Sequence, residues 1–254
     1  KKKKKNNNHN QWVHFKDNRK RPIIIGRDND DYVGVSAVIG GKNNNLLFIT
    51  YQYNNISVFD LNTFRFIKHD TLPTNNNLIS FHCFVSKSEN KQEQEMMKTN
   101  EGKNKQNYQM LLFCKKTGLS IEYDEDNNTF QFHQIPVCHD MKSFNFYAYV
   151  CINDVILFFG GSNGNLFGTV VSKSVRKYSI RENKWMIFQN ALPSPLGDCV
   201  GILSEDNTCV HIIGGRNENR SAVSTQMKTK VCLWDVPHLV IFVQIIENYF
   251  IKQK

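Results

Sequence analysis

Among seven cysteines (Cys83, Cys114, Cys138, Cys151, Cys199, Cys209 and Cys232) there is no Cys-x-x-Cys pair, and the count is odd. That argues against a disulfide framework. Several of these residues sit inside apolar runs such as LLFC and YVCI, where a free thiol behaves as a small buried hydrophobe. The pattern points to a reducing compartment. Long hydrophobic runs are missing too. The longest charge-free apolar stretch near the C-terminus, Leu239–Ile246, falls far short of the roughly 20 residues that span a bilayer. The N-terminus lacks the apolar core of a signal peptide, so the expectation is a cytoplasmic chain with no membrane contact. No Walker loop or dinucleotide fingerprint is present.

Basic charge is scarce where it would matter for a nucleic-acid-binding fold. The chain carries a net charge of +9, yet residues 1–22 hold nine Lys and Arg against Asp17 alone. The remainder is close to neutral, so nucleic acid is not the expected partner of the folded part. The five-Lys block Lys1–Lys5 could still act as an anion-binding arm or a nuclear-import patch, and that reading stays as an alternative. Residues 1–10, a Lys block followed by mostly Asn and His, read as a disordered tail.

What the sequence has in quantity is short apolar runs. Aromatic residues make up 12%, with 18 Phe. Around residues 146–193 four runs of four to six residues, rich in Val, Ile, Phe and Tyr, are separated by Asn, Asp and Gly turns. These are hairpin-linked strands: Tyr147–Ile152, Val155–Phe159, Val175–Ile180 and Trp185–Phe188. The second closes on Gly160–Gly161, and the third and fourth carry Tyr178 and Trp185, seven residues apart. A seven-residue step across a tight turn puts two aromatics on one side of adjacent strands, where they can pack together. The step recurs as Phe59 to Phe66 and Tyr123 to Phe130, while Trp234 takes the first aromatic position in a last unit and Ile241 stands where the second is expected. Units of this length mean an array of repeats.

An apolar run closing on a Gly doublet, followed by an aromatic and then a Trp seven residues later, resembles the kelch repeat. The resemblance implies an all-β, kelch-type β-propeller of about four four-stranded blades, either a small ring or part of a larger one. The blades are expected at residues 32–73, 78–136, 146–193 and 198–243, with a polar insertion at 87–107 and a C-terminal tail at 244–254. Gly214–Gly215 is the second doublet. Gly40–Gly41 falls by register in the turn between the first two strands of its blade, and Thr50–Tyr51 and Lys115–Lys116 stand where the other two doublets would be. Strands are also expected at Val33–Ile39, Leu46–Tyr51, Ile56–Asp60, Ser80–Ser86, Tyr108–Cys114, Cys199–Leu203, Cys209–Ile213 and Val231–Asp235. Trp12-Val13-His14-Phe15 resembles Trp185-Met186-Ile187-Phe188 and reads as the last strand of another blade.

Motifs with chemical precedent do not fit their contexts. Gly160-Gly161-Ser162-Asn163-Gly164 matches the G-x-S-x-G nucleophile elbow, but no helical period follows. Asp124, Asp126 and Asn128 resemble a calcium loop lacking its glycine and its final acidic ligand, and so read as a hairpin turn. Gly26–Asp31 reads as a solvated acidic loop. His133, Cys138 and His139 have no second ligand pair at zinc-site spacing. No catalytic residue, metal or cofactor is assigned. An enzyme of the galactose-oxidase type is the alternative that the propeller family supplies, though no converging Tyr and His set stands out.

In kelch propellers, partners dock on loops at one end of the ring. By that resemblance Ser162, Asn163, Arg216 and Asn217, which follow the doublets, are the candidate contact residues for a protein partner. Arg216 could offer a two-pronged hydrogen-bond donor to a carboxylate.

Overall fold

The computed structural model describes residues 13–74, 78–87, 107–165 and 168–234. Four antiparallel sheets make a four-bladed β-propeller. Blade one comprises β1 (Ser36–Gly40), β2 (Leu46–Tyr51), β3 (Asn55–Asp60) and β4 (Arg65–Thr71). Blade two comprises β5 (Cys83–Ser86), β6 (Tyr108–Cys114), β7 (Thr117–Asp124) and β8 (Thr129–Gln134). Blade three comprises β9 (Ala148–Ile152), β10 (Val155–Phe159), β11 (Ser174–Ser179) and β12 (Lys184–Ala191). Blade four has β13 (Val200–Leu203), β14 (Cys209–Ile213) and β15 (Gln226–Lys230) among the described residues. The strand order within each sheet follows the chain.

Strand position within a blade explains strand composition. The middle strands are covered on both faces, β6 by the neighbouring blades and β2 by blade two and residues 23–32, so both read as nearly unbroken apolar runs. The fourth strand β8 alternates apolar and polar residues through Phe130 and Phe132 because only one face is covered, whereas in β4 a bulge at Val58/Phe59 leaves Phe66 and Ile67 adjacent. Blades one and two share a cluster centred on Phe48, Val58, Leu112, Ile121 and Tyr123. Blades two and three share Phe113, Phe158, Tyr147 and Tyr178, and blades three and four share Leu157, Phe159, Val210, Ile212 and Trp234. Two histidines sit on faces of blade one. His82 enters the core from blade two and shares a 2.6 Å hydrogen bond with Thr50 Oγ1. Burial pushes its pKa down to about 3, so it stays neutral there. His69, on the other face, bonds Ser57 Oγ through Nδ1 at 2.7 Å.

The seven-residue aromatic steps are direct cross-strand pairs. Phe59 faces Phe66, Tyr123 faces Phe130 and Tyr178 faces Trp185, with ring centroids 5.2, 4.8 and 5.1 Å apart. The two tyrosines do more than pack. Tyr123 Oη donates to Asn128 Oδ1 and Tyr178 Oη to Asn183 Oδ1, at 2.8 and 2.6 Å. Each asparagine holds a left-handed turn position, with φ of 52° and 53°. The phenol thereby fixes the hairpin that delivers its aromatic partner. Tyr178→Phe is expected to cost about 1 kcal/mol in urea unfolding, the net value of one such bond. Tyr178→Ala should cost about 3–5 kcal/mol because it also opens a cavity against Phe113 and Trp185.

Blade four departs from the expected pattern. Its third strand is Gln226–Lys230, and Val231–Leu233 forms a 3-10 turn instead of a strand. By register, Thr229 pairs with Val210 just as Tyr178 pairs with Ile156. Trp234 lies beyond the strand and folds back, donating its indole N–H to Thr229 Oγ1 at 3.0 Å. Its ring packs edge-on against Phe159 and Phe188. An aromatic is thus delivered to the expected place by a different backbone route. Ile241 and the expected fourth strand lie outside the described residues, as do Trp12, the bulk of the 87–107 insertion, the N-terminal tail and the C-terminal tail.

Val13–Phe15 is not a blade strand. It joins a small hairpin through a Lys16–Pro22 bridge and places Phe15 edge-on against Phe64. The chain then lays Ile23, Ile25 and Tyr32 over Ile49, Tyr51 and Phe59, covering the outer part of the face of blade one that points away from blade two. A hydrogen-bonded chain pins this strap. Asp30 grips Arg27, Arg27 donates to Tyr51 Oη at 3.0 Å, and Tyr51 connects through Ser57 to His69. The Gly26–Asp31 loop is therefore tied internally. The Asp124–Asn128 segment is a hairpin turn whose Asp124 carboxylate receives the Asp126 and Asn127 amides, and Asp126 pairs with Lys42 of blade one.

Candidate recognition site

The first strands of the blades converge. β1 packs beside β5 and β9 beside β13, and Tyr149 Oη of blade three reaches Ser36 Oγ of blade one at 3.2 Å. Two residues before each first strand the backbone is left-handed: Gly34, Phe81, Phe146 and Asp198, with φ between 49° and 69°. These equivalent positions are joined to one another. The Phe81 amide donates to Gly34 O, the Phe146 amide to Phe81 O, and the Asp198 amide to Phe146 O. This ladder forms the inner rim of one end of the propeller.

Over the rim stand the connections between second and third strands. In blades one and two these are short, residues 52–54 and 115–116. In blades three and four they are long and begin with the glycine doublets. Gly160 and Gly161 have φ of 67° and 114°, and Gly214 and Gly215 have 69° and 118°, so both doublets turn the chain in the same way. A Cβ on Gly160 would meet the Leu196 carbonyl oxygen at 2.1 Å. The doublets mark the two blades that build tall loops.

Arg176 holds the blade-three loop from below. Its side chain is fully buried and each nitrogen of the guanidinium has a partner. Nε donates to Asp140 Oδ2 at 2.5 Å, Nη1 to Gly160 O at 2.9 Å and Nη2 to Ser172 Oγ at 2.9 Å. The Phe144 ring lies 5.5 Å from its centre. Sequence reading overlooks this residue. The signal available was its parity, since Arg176 shares a strand face with buried Tyr178, where an apolar residue belongs.

Between the loops and the rim lies an open cavity of about 560 Å³. Its apolar wall is Phe81 stacked on Phe146, with ring centroids 4.4 Å apart. Its polar wall carries Asp198, Arg216 and Arg220. Of the expected contact residues, Ser162, Arg216 and Asn217 line this cavity together, and Asn163 lies next to it. Arg216 is clamped through its backbone, exchanging both hydrogen bonds with Gly197. Its side chain is 60% exposed, with Nε 3.8 Å from Asp198 Oδ2. Asn217 and Asn163 each turn their Oδ1 onto amides of their own loop, Asn219 and Ser221 in one case, Asn165 and Val170 in the other. Both asparagines shape the loops. Ser162 Oγ receives the Gly164 amide, and residues 163–165 that follow it are not helical, where a nucleophile elbow needs a helix.

Arg220, Asp198, Phe81 and Phe146 were not legible as site residues. Arg220 ties the two loops together, donating to Thr169 Oγ1 at 2.6 Å and to the Asn165 carbonyl. The cavity therefore offers two guanidinium groups and one carboxylate beside an aromatic shelf, which suits an anionic, partly apolar ligand. Among the described residues, no three His, Cys, Asp or Glu side chains come together in a group that could hold a metal ion. No helix among them is long and apolar enough to cross a membrane.

No family model matches the chain, and a search of curated proteins finds no match. Solved structures do show likeness. The structure of YjhT is 12% identical over 78% of this chain and 79% of that one, with a TM-score of 0.36. The Neurospora crassa Pan2 WD40 domain is 14% identical, with a TM-score of 0.46, and the match spans 84% of this chain and 59% of that domain.

Proposed function

We propose that this chain is a kelch-type, non-enzymatic recognition scaffold of a reducing, cytoplasmic environment, whose contact site is the cavity between the doublet loops and the inner rim. The preferred ligand is an acidic peptide segment of a protein partner. The observation that carries this reading is the pairing of Arg216 and Arg220 over the Phe81–Phe146 shelf, on a blade-four loop that Arg220 ties to the Arg176-braced loop of blade three. An arginine fork matches a carboxylate in two-point geometry, and an aromatic floor gives apolar contact beside it.

The test is fluorescence anisotropy with a labelled peptide of alternating Asp, Glu and Leu, against a Lys-for-acid control. Binding of the acidic peptide alone is expected. Arg216→Ala and Arg220→Ala should each weaken it about tenfold, the effect of losing one charge-assisted hydrogen bond. Equal binding of both peptides, or no effect of either substitution, would overturn the reading.

A further inference from the structure

One group in the recognition cavity works against an acidic ligand. Asp198 stands beside Arg216, where its charge cancels part of the attraction for a carboxylate. The backbone fixes it there. Phe146 O holds the Asp198 amide, and the neighbouring Gly197 exchanges both backbone hydrogen bonds with Arg216. The two side chains therefore start from adjacent, clamped positions.

The pair is nevertheless loose. Arg21 meets Asp17 at 2.7 Å, Arg27 meets Asp30 at 2.9 Å, Arg176 meets Asp140 at 2.5 Å and Arg181 meets Asp154 at 2.7 Å. Arg216 Nε and Asp198 Oδ2 are 3.8 Å apart, beyond hydrogen-bond reach. Among the described residues, none donates a hydrogen bond to the Asp198 carboxylate and none accepts one from the Arg216 guanidinium. Both groups keep their bonding capacity for something else. Asp198 also follows Phe146 along the rim, at the end of the aromatic shelf. A carboxylate next to a phenyl ring is a seat for a guanidinium, which forks onto the one and lies over the other.

Resting on the acidic-peptide reading of this cavity, we infer that Asp198 seats an arginine of the same peptide. The ligand is then a charge-paired segment. An acidic residue meets Arg216 and Arg220, and an arginine two positions along, on the same side of an extended chain, meets Asp198. Such a ligand supplies the hydrogen bonds that the 3.8 Å pair lacks. A uniformly acidic segment instead meets Asp198 as a like charge, so this residue sets specificity.

Fluorescence anisotropy at one ionic strength, with three labelled peptides, tests the inference. One is the alternating peptide of Asp, Glu and Leu; the others carry Arg or Gln in place of one acidic residue. Wild type is expected to bind the Arg peptide about tenfold more tightly than the Gln peptide, the effect of one charge-assisted hydrogen bond. In Asp198→Asn that preference should vanish, while the uniformly acidic peptide should bind at least as tightly as before. Asparagine accepts the left-handed backbone of Asp198, with φ of 54°, so the circular dichroism spectrum and urea midpoint should not change. Equal binding of the Arg and Gln peptides to wild type, or an Arg preference that survives in Asp198→Asn, would overturn the inference. The acidic-peptide reading would then still stand on its dependence on Arg216 and Arg220. Weaker binding of the uniformly acidic peptide to Asp198→Asn would also overturn the inference, since Asp198 would then act by shaping the site. If no peptide binds, both fall.

Discussion

Arg176→Met is expected to destabilise the propeller by about 3–5 kcal/mol, the range for removing one partner of a buried charged network. The Gly160 carbonyl and the Ser172 hydroxyl both lose their donor, and Asp140 is left facing an apolar side chain. Asp140 can turn toward water, since its side chain is 38% exposed. The Gly160 carbonyl has no such escape, because it accepts from Arg176 beneath the doublet. Methionine fills the volume, so the loss reports the hydrogen bonds more than a cavity. Urea unfolding gives the size of the effect, and hydrogen exchange gives its place: amides of residues 160–174 should lose protection before those of blade one. Arg176→Lys should recover only part of the loss, because an ammonium lacks the planar fork that reaches three acceptors. If both variants unfold like the wild type, the loop is not held from below.

The second large effect comes from a pair of glycines in one conformation. Gly160 and Gly214 have nearly identical φ, 67° and 69°. Alanine at Gly214 meets nothing within 4 Å, so its cost is that of a left-handed L-residue, about 1–2 kcal/mol. Alanine at Gly160 incurs the same strain and also drives a methyl group into the Leu196 backbone carbonyl. That carbonyl already accepts the Gly161 amide, so it cannot move without breaking the loop. Gly160→Ala should therefore exceed Gly214→Ala by about 2 kcal/mol or more, in the range where single substitutions are severe. Measured side by side, the two variants separate conformational strain from steric clash. Equal losses would mean that the Leu196 turn yields easily.

Much of the architecture could be read from residue order, and the physical reason is local. Phe59–Phe66, Tyr123–Phe130 and Tyr178–Trp185 are cross-strand neighbours across tight turns, so their spacing and their geometry are the same fact. The errors arise where tertiary contacts decide. Trp234 satisfies the packing site from beyond its strand, which spacing along the chain cannot express. Trp12–Phe15 resembles Trp185–Phe188 in sequence, yet Val13–Phe15 leads into a hairpin closed by the Lys16–Pro22 bridge and sends Phe15 onto Phe64. In the candidate site, Ser162, Arg216 and Asn217 follow from the doublets, because glycine pairs betray a special backbone. Arg220, Asp198, Phe81 and Phe146 carry no such mark. Their place in the cavity depends on which blade ends meet, and that is settled by packing between segments far apart in sequence.

The rim positions show what a repeat inherits. Gly34, Phe81, Phe146 and Asp198 occupy one left-handed site in four successive blades, yet only the first uses the residue that favours it. The amides of the other three are each held by a carbonyl of the preceding blade, so the site's conformation is set by its neighbour more than by its own side chain. Side chains there are free to drift, and one rim position can become an aromatic shelf while another becomes an acid. Duplication of a blade transmits a hydrogen-bonding station. Selection is left to choose what stands on it.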